Sequence, residues 1–578
     1  MPRRAALLVV VAVLAAHWTA FGAGYVQDDH PLVETNPLVL RGDLGRILAA
    51  AYWEEAHPVE DRSLWRPVPI LSYALERSLL GRASAPLSHA VNVALHALAS
   101  LLLLAVALEH RAAPRGGAIG ALAFGLHPAK SEAVFGVVGR AEILAAAFGL
   151  LALLLAARSR RGEGARARLA AWGSAAALFV ALASKETAAV FVPLLLAQDL
   201  VLARGEEPAS RAPLLRRAGA LAPALVAIAL FLVARTAALE AWFAPQPIQP
   251  IDNALVARPS SERVPTALAL VAHAAALAAV PTGLTLDYSG ASVPLEASLG
   301  APRPLAGAAV LACLAALAAC GTLRPRGKGG LLAVGALTTL LPFFVTGNFF
   351  FPVGAIFAER FLYLPAAGLG LLLAALPARR SVAIAAAVGL SLWGGLTLDR
   401  GRDWKDDRTA FEEALGANPR SPRAHFAVAK LDADAIAAPP SAAAEVAGAI
   451  ALFDRAIALW DDYPEAWKEK GVLLARAGRL DEAEPVLRGA LLRGPDSLNA
   501  RFNHALVLQR LGRAGEAERA LRQALLRDPS HAPSWASLGH LAFETGRYGD
   551  AARAYARAVA LGRSDLAPRL DEARRLGG

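Results

Sequence analysis

The chain has 578 residues, 56% of them hydrophobic and only 19% charged, with a mean hydropathy of +0.41. That balance excludes an ordinary soluble protein. The formal net charge of +10 reads first as a topology signal, because the basic residues fall in short loops between apolar runs. No basic stretch is interleaved with aromatics, so nucleic acid is not an expected partner.

At the N-terminus, Met1-Pro2-Arg3-Arg4 leads into an apolar run from Ala5 to Phe21. The basic stub predicts a cytoplasmic N-terminus and an uncleaved anchor, with a cleaved leader as the alternative. A polar stretch follows to about Leu87 and predicts a first extracytoplasmic loop over 22–87, with Asp28-Asp29 near its start. Further apolar runs fall near 89–108, 117–134, 138–157, 169–184, 187–203, 218–238, 265–281, 304–321, 330–346, 361–376 and 382–398. Each is close to the length that crosses a hydrocarbon core.

Five basic loops mark the cytoplasmic side: Arg111/Arg115, Arg158–Arg168, Arg204/Arg211/Arg216/Arg217, Arg324/Arg326/Lys328 and Arg379/Arg380. Alternation fits these marks only if 265–281, which holds His273 and is edged by Pro265 and Pro281, does not cross. It is read as a re-entrant or interfacial helix in an extracytoplasmic insertion, 239–302. About eleven crossings result, with the N-terminus inside and the C-terminus outside. Cys313 and Cys320 share a face of one such helix but sit roughly 10 Å apart along its axis, too far to bridge.

From Pro464 the sequence repeats every 34 residues, the period of tetratricopeptide helix pairs. Gly471, Ala505 and Gly539 share one register position, and Gly478, Gly512 and Gly546 the turn. Ala483, Ala517 and Ala551 follow, then Leu487, Leu521 and Tyr555, and then Ala490, Ala524 and Ala558. The predicted division is a transmembrane domain over 1–400, an irregular helical cap or degenerate repeat over 405–463, three repeats over 464–565 and a tail over 566–578. The fold class is all-α: a polytopic membrane domain followed by an α-solenoid whose groove presents itself to a protein or peptide.

Ionisable groups in or beside membrane spans are costly, so each is a candidate site residue. Asp28 and Asp29 head the set, followed by Arg66, His127, Glu132, Arg140, Glu142, Lys185, Glu186, Glu359, Arg360 and Tyr363. The chemistry such groups suit is glycosyl transfer from a lipid phosphate. A carboxylate removes the acceptor hydroxyl proton, and Arg and Lys hold the departing phosphate. Apolar helices leave a groove for the lipid tail. His127-Pro-Ala-Lys-Ser-Glu132 has no second ligand cluster nearby, so no metal site and no cofactor are inferred.

The order of motifs is recognisable: Tyr25-Val-Gln-Asp-Asp-His30, Trp65-Arg-Pro-Val-Pro-Ile-Leu-Ser-Tyr73, His89-Ala-Val-Asn-Val-Ala-Leu-His96 and His127-Pro-Ala-Lys-Ser-Glu-Ala-Val134. Val138-Gly-Arg-Ala-Glu142, Ser184-Lys-Glu186, Leu286-Asp-Tyr-Ser289 and Glu359-Arg-Phe-Leu-Tyr-Leu-Pro365 follow, then the repeats. The series resembles the transmembrane and tetratricopeptide repeat-containing O-mannosyltransferases of the GT-C superfamily. The resemblance implies a GT-C fold and inverting, metal-independent transfer of a sugar, mannose, from a polyprenyl-phosphate donor to Ser or Thr hydroxyls of extracytoplasmic proteins. It places the catalytic carboxylate in the first extracytoplasmic loop, which matches Asp28 or Asp29; Asp29 is the expected base or its hydrogen-bond organiser, with Asp28 beside it. The high Arg and Ala content points to a bacterial genome, so the expected location is a bacterial inner membrane; the eleven-crossing topology puts the repeats outside, where they are expected to recruit the acceptor. The alternatives are a lipid-linked glycan ligase or polymerase, and a non-catalytic membrane scaffold.

Overall fold

The computed structural model describes residues 3–54, 56, 63–206, 214–242, 248–256, 258–377, 379–436 and 443–578. The described residues are helical and contain no strand. The Arg211 topology mark and parts of the 22–87 loop, the 239–302 insertion and the 405–463 segment lie outside them. Two compact units divide the chain, Met1–Pro419 and Arg420–Gly578. The boundary falls later than the repeat-side segment predicted from 405, so the Asp407–Ala417 helix belongs to the first unit.

In the first unit, eight helices among the described residues are long and apolar enough to cross a membrane: Ala85–Glu109, Val137–Arg161, Gly164–Leu182, Glu186–Ala203, Ala222–Leu239, Pro302–Leu323, Gly329–Thr346 and Arg380–Arg400. By that measure this is a membrane protein. Three further expected crossings are present as shorter helices. The first is Arg3–Ala16 with 14 residues, the second Pro114–Leu126 with 13 and the third Tyr363–Ala374 with 12. At 1.5 Å per residue these span about 20 Å, against a core of about 30 Å. Proline explains one early end: Pro128 stops the run that apolarity alone carried to 134, as the residue before a proline avoids the α conformation. The 265–281 segment lies in the Ser260–Ala279 helix, which carries Glu262 and Arg263 and is not among the eight.

Small residues let these helices approach closely. A Cβ at Gly120 would run into the Gly370 carbonyl, joining the Pro114–Leu126 and Tyr363–Ala374 helices backbone to backbone. The Ala85–Glu109 helix buries Val93, Ala99, Leu103 and Leu104 in the same apolar core as Ile143, Leu150 and Leu153. His96 joins this interior, its Nδ1 lying 2.7 Å from the Tyr363 hydroxyl and its Nε2 3.1 Å from the Gly125 carbonyl.

The second unit is a stack of antiparallel helix pairs, with Pro464–Arg476 against Leu480–Arg493, Leu498–Arg510 against Ala514–Arg527 and Ala532–Glu544 against Tyr548–Ala560. The turn glycines Gly478, Gly512 and Gly546 adopt φ of +78°, +75° and +74°, a conformation that a Cβ penalises. A Cβ on Gly471 would come within 2.6 Å of Leu487, and one on Gly539 within 2.6 Å of Tyr555. The small and large register positions are thus the two sides of one contact. Two helices, Pro422–Ala435 and Ala443–Leu459, precede the three predicted pairs.

Candidate active site

Asp28 and Asp29 begin the site, and their surroundings differ sharply. Asp29 is fully buried. Its Oδ1 accepts the Val138 N–H at 2.8 Å, and its Oδ2 accepts the Val26 and Val137 N–H groups at 3.1 and 3.2 Å. Burial pushes its carboxyl up to about 7 against these three donors. Such a value suits a general base, but geometry comes before pKa, and both oxygens are already occupied in an enclosed pocket. Asp28 is exposed. It follows Gln27, a non-glycine residue held at φ +52°.

Three cation–carboxylate pairs join sequence candidates to one another. Arg66, entering the Pro67–Leu80 helix, donates to Glu186 from Nε at 3.0 Å and from Nη2 at 2.6 Å. Its guanidinium lies over the Tyr52 ring, 5.0 Å from the centroid. Lys185 pairs with Glu142 at 2.6 Å, and Glu142 also accepts from the Thr187 hydroxyl at 3.2 Å. Arg360 grips Glu132 twice, through an ion pair at Nη1 and through its backbone N–H at 2.8 Å. The pairs also act on one another electrostatically. Burial lowers the Lys185 pKa and Glu142 opposes this, while Arg66 and Arg360 both depress it further. The Arg360 pKa is raised, because Glu132 and then Asp28 outweigh burial. Asp28, Arg66, Lys185 and Arg360, with their three glutamates, therefore share one electrostatic neighbourhood.

Four sequence candidates are engaged elsewhere. Arg140 is fully enclosed, with Nε donating to Asn92 Oδ1 at 2.7 Å, Nη2 to the Ser88 carbonyl at 2.9 Å, and Nη1 to Ser72 at 3.0 Å and to Glu76. Each guanidinium nitrogen is engaged, so Arg140 forms a buried clasp. His127 accepts the Ala129 N–H at 3.2 Å, faces the Ala278 carbonyl at 3.0 Å and packs on Trp393. Tyr363 is spent on His96. Glu359 is buried, its Oε1 accepting the Thr285 N–H at 2.6 Å and the Tyr288 hydroxyl at 3.2 Å.

Sequence reasoning passed over Glu76, the counter-charge of Arg140, because nothing in its surroundings marks it as buried. Lys130 was seen only inside a motif. It is fully buried, and its Nζ lies 3.5 Å from His17 Nε2. Among the described residues no group of three or more His, Cys, Asp or Glu is placed to hold a metal ion.

Glu359 carries a pH prediction. Burial pushes its carboxyl from its ordinary 4.5 up to about 8, so the native state holds a proton that the unfolded chain releases. Its contribution to stability is complete below about 4.5 and is lost as pH rises through about 8. Thermal unfolding of the detergent-solubilised protein between pH 5 and 9 should show Tm falling, and Glu359→Gln should flatten that slope.

Comparison with known proteins agrees with both halves. A tetratricopeptide repeat model matches residues 441–497 and 502–565, so the repeat signal begins upstream of Pro464. Protein O-mannosyl-transferase TMTC3 of Mus musculus is 27% identical over 440 residues, covering 71% of this chain and 47% of that protein. Protein O-mannosyl-transferase TMTC4 of Mus musculus is 27% identical over 486 residues, covering 74% and 65%. Protein O-mannosyl-transferase TMTC1 of Homo sapiens is 29% identical over 396 residues, covering 64% and 45%. The chain spans about half to two thirds of the length of these curated relatives. Most of its length is thus similar to the protein O-mannosyl-transferases, and its C-terminal part carries tetratricopeptide repeats.

Proposed function

We propose that this chain is a membrane glycosyltransferase of GT-C type that moves mannose from a polyprenyl-phosphate donor to Ser or Thr hydroxyls of extracytoplasmic proteins. The observation that carries the reading is the exposed Asp28, whose charge acts on Arg360, while Arg360 and Arg66 both act on Lys185. Asp28 accepts the proton of the acceptor hydroxyl as its oxygen attacks the sugar C1. The bond from C1 to the phosphate oxygen breaks with inversion, and the polyprenyl phosphate leaves carrying the bonding pair. Arg360 and Arg66 offset the charge developing on that phosphate, with Lys185 behind them. Their carboxylate partners keep the three cations fixed before the donor arrives. Asp29 is the organiser, holding the loop through Val26, Val137 and Val138.

In this reading the site faces the periplasm of a bacterial inner membrane, and the repeat groove brings the acceptor. No metal or cofactor enters the step. The test is transfer by the purified protein in lipid, from labelled polyprenyl-phosphate mannose to Ser/Thr-containing acceptor proteins. Transfer by wild type, lost in Asp28→Asn, is the expected result. Absence of transfer across several donor sugars overturns the proposal in favour of a glycan ligase or a scaffold.

A further inference from the structure

The Asp28 loop is held from outside as well as from within. Gly24 donates its N–H to the Lys405 carbonyl at 2.8 Å, and a Cβ on Gly24 would come within 3.0 Å of that oxygen. Three residues later, Gln27 donates its N–H to Asp407 Oδ1 at 2.8 Å. The second oxygen of the same carboxylate, Oδ2, lies 3.1 Å from His30 Nε2. His30 Nδ1 lies 2.7 Å from Glu34 Oε2, so each ring nitrogen faces a carboxylate, the arrangement of an imidazolium donating twice. Asp407 thus bridges the residue before Asp28-Asp29 and the residue after them, from a position 377 residues away along the chain from His30.

The neighbouring acid has a separate task. Asp406 Oδ1 accepts the Thr409 N–H and hydroxyl, both at 2.8 Å, and caps the Asp407–Ala417 helix. Asp407, the first residue of that helix, is left to face the loop. Its contact also bears on a strained position. Gln27 at φ +52° is a conformation that side chains seldom adopt, and it persists only where its surroundings over-determine it. The hydrogen bond from the Gln27 N–H is one such determinant. The Asp29 anchors fix one side of Asp28, and Asp407 fixes the other.

We propose that Asp407 is a positioning residue that clasps Gln27 and His30 and so sets the Asp28 carboxylate for proton transfer. The inference rests on the reading of Asp28 as the base. Loss of the clasp should lower kcat while leaving donor binding in place, because the phosphate-facing cations sit on other segments. A displaced catalytic group costs about a hundredfold for a shift on the order of 1 Å.

The experiment uses the full chain in lipid nanodiscs and compares wild type with Asp28→Asn, Asp407→Ala, Asp407→Asn and Asp406→Ala. Asp407→Ala should lose kcat by about a hundredfold with the donor KM held within about twofold. Asp407→Asn, which keeps one accepting oxygen, should fall between Asp407→Ala and wild type. Asp406→Ala weakens the helix cap without touching the loop and should retain near wild-type kcat. Hydrogen exchange over residues 24–34 should quicken in Asp407→Ala and not in Asp406→Ala. Wild-type kcat in Asp407→Ala, with Asp28→Asn inactive, overturns the clasp and leaves the base standing. Equal losses in Asp406→Ala and Asp407→Ala also overturn it, by showing that helix stability alone matters. An inactive wild type defeats the proposed activity, and the exchange measurement then decides by itself whether Asp407 holds the loop.

Discussion

Asp28→Asn is expected to lower kcat for sugar transfer by about a hundredfold to ten-thousandfold, the range for removing a general base. The side chain is exposed, so the substitution should leave Tm close to wild type. The amide keeps the shape and hydrogen-bonding reach of the carboxylate but cannot take up the hydroxyl proton. Donor KM should change little, since the phosphate is assigned to Arg66, Lys185 and Arg360. Asp29→Asn should show the opposite signature. It exchanges one of two accepting oxygens for a donor that faces backbone N–H groups in a closed pocket. A cost of about 2 kcal/mol in stability follows, with activity falling because the loop moves. Paired measurement of Tm and kcat on the two variants separates the roles. If Asp29→Asn keeps wild-type stability and loses all turnover while Asp28→Asn stays active, the assignment is reversed.

The pair also shows where a sequence stops being readable. Two adjacent aspartates after an apolar anchor mark a site, because carboxylates at a membrane surface are costly without a use. Which of them is buried depends on Val137 and Val138, more than 100 residues away along the chain. No local pattern contains that information. The repeat unit is the reverse case. Gly471 meets Leu487 within one 34-residue unit, so period and register already describe the packing. Between these extremes lie the short helices: apolarity carried one expected span through to 134, but Pro128 ends its helix at Leu126. The charge pairs Arg66–Glu186, Lys185–Glu142 and Arg360–Glu132 were visible as separate residues, and only the fold showed who holds whom. Arg140 looked like them in sequence, and differs because its partners come from two neighbouring helices, Pro67–Leu80 and Ala85–Glu109, that close around it.

Arg140→Met is expected to destabilise the membrane unit by about 3–5 kcal/mol, the cost of leaving one member of a buried ion pair behind. Its volume and unbranched shape suit the site, so the loss is electrostatic and not a cavity effect. Glu76 would be stranded with only the Ser88 hydroxyl at 2.7 Å, and Asn92 Oδ1 and the Ser88 carbonyl would lose their donor. The guanidinium also lies 4.5 Å from the Tyr73 ring centroid, and the Tyr73 hydroxyl donates to the Val137 carbonyl at 3.1 Å. Asn92 Nδ2 donates to the Gly136 carbonyl at 3.1 Å. Within Gly136–Val138, the Val137 and Val138 N–H groups pin Asp29, so the clasp reaches the Asp28 loop through two further bonds. Activity should therefore fall together with Tm, unlike the Asp28→Asn case. The double variant Arg140→Met with Glu76→Gln removes the stranded charge and should recover a large part of the lost stability. Recovery of Tm without recovery of kcat would show that the Arg140 network shapes the loop as well as supporting the fold. A single variant with wild-type Tm would mean that water or another cation reaches Glu76, and that the buried pair contributes nothing.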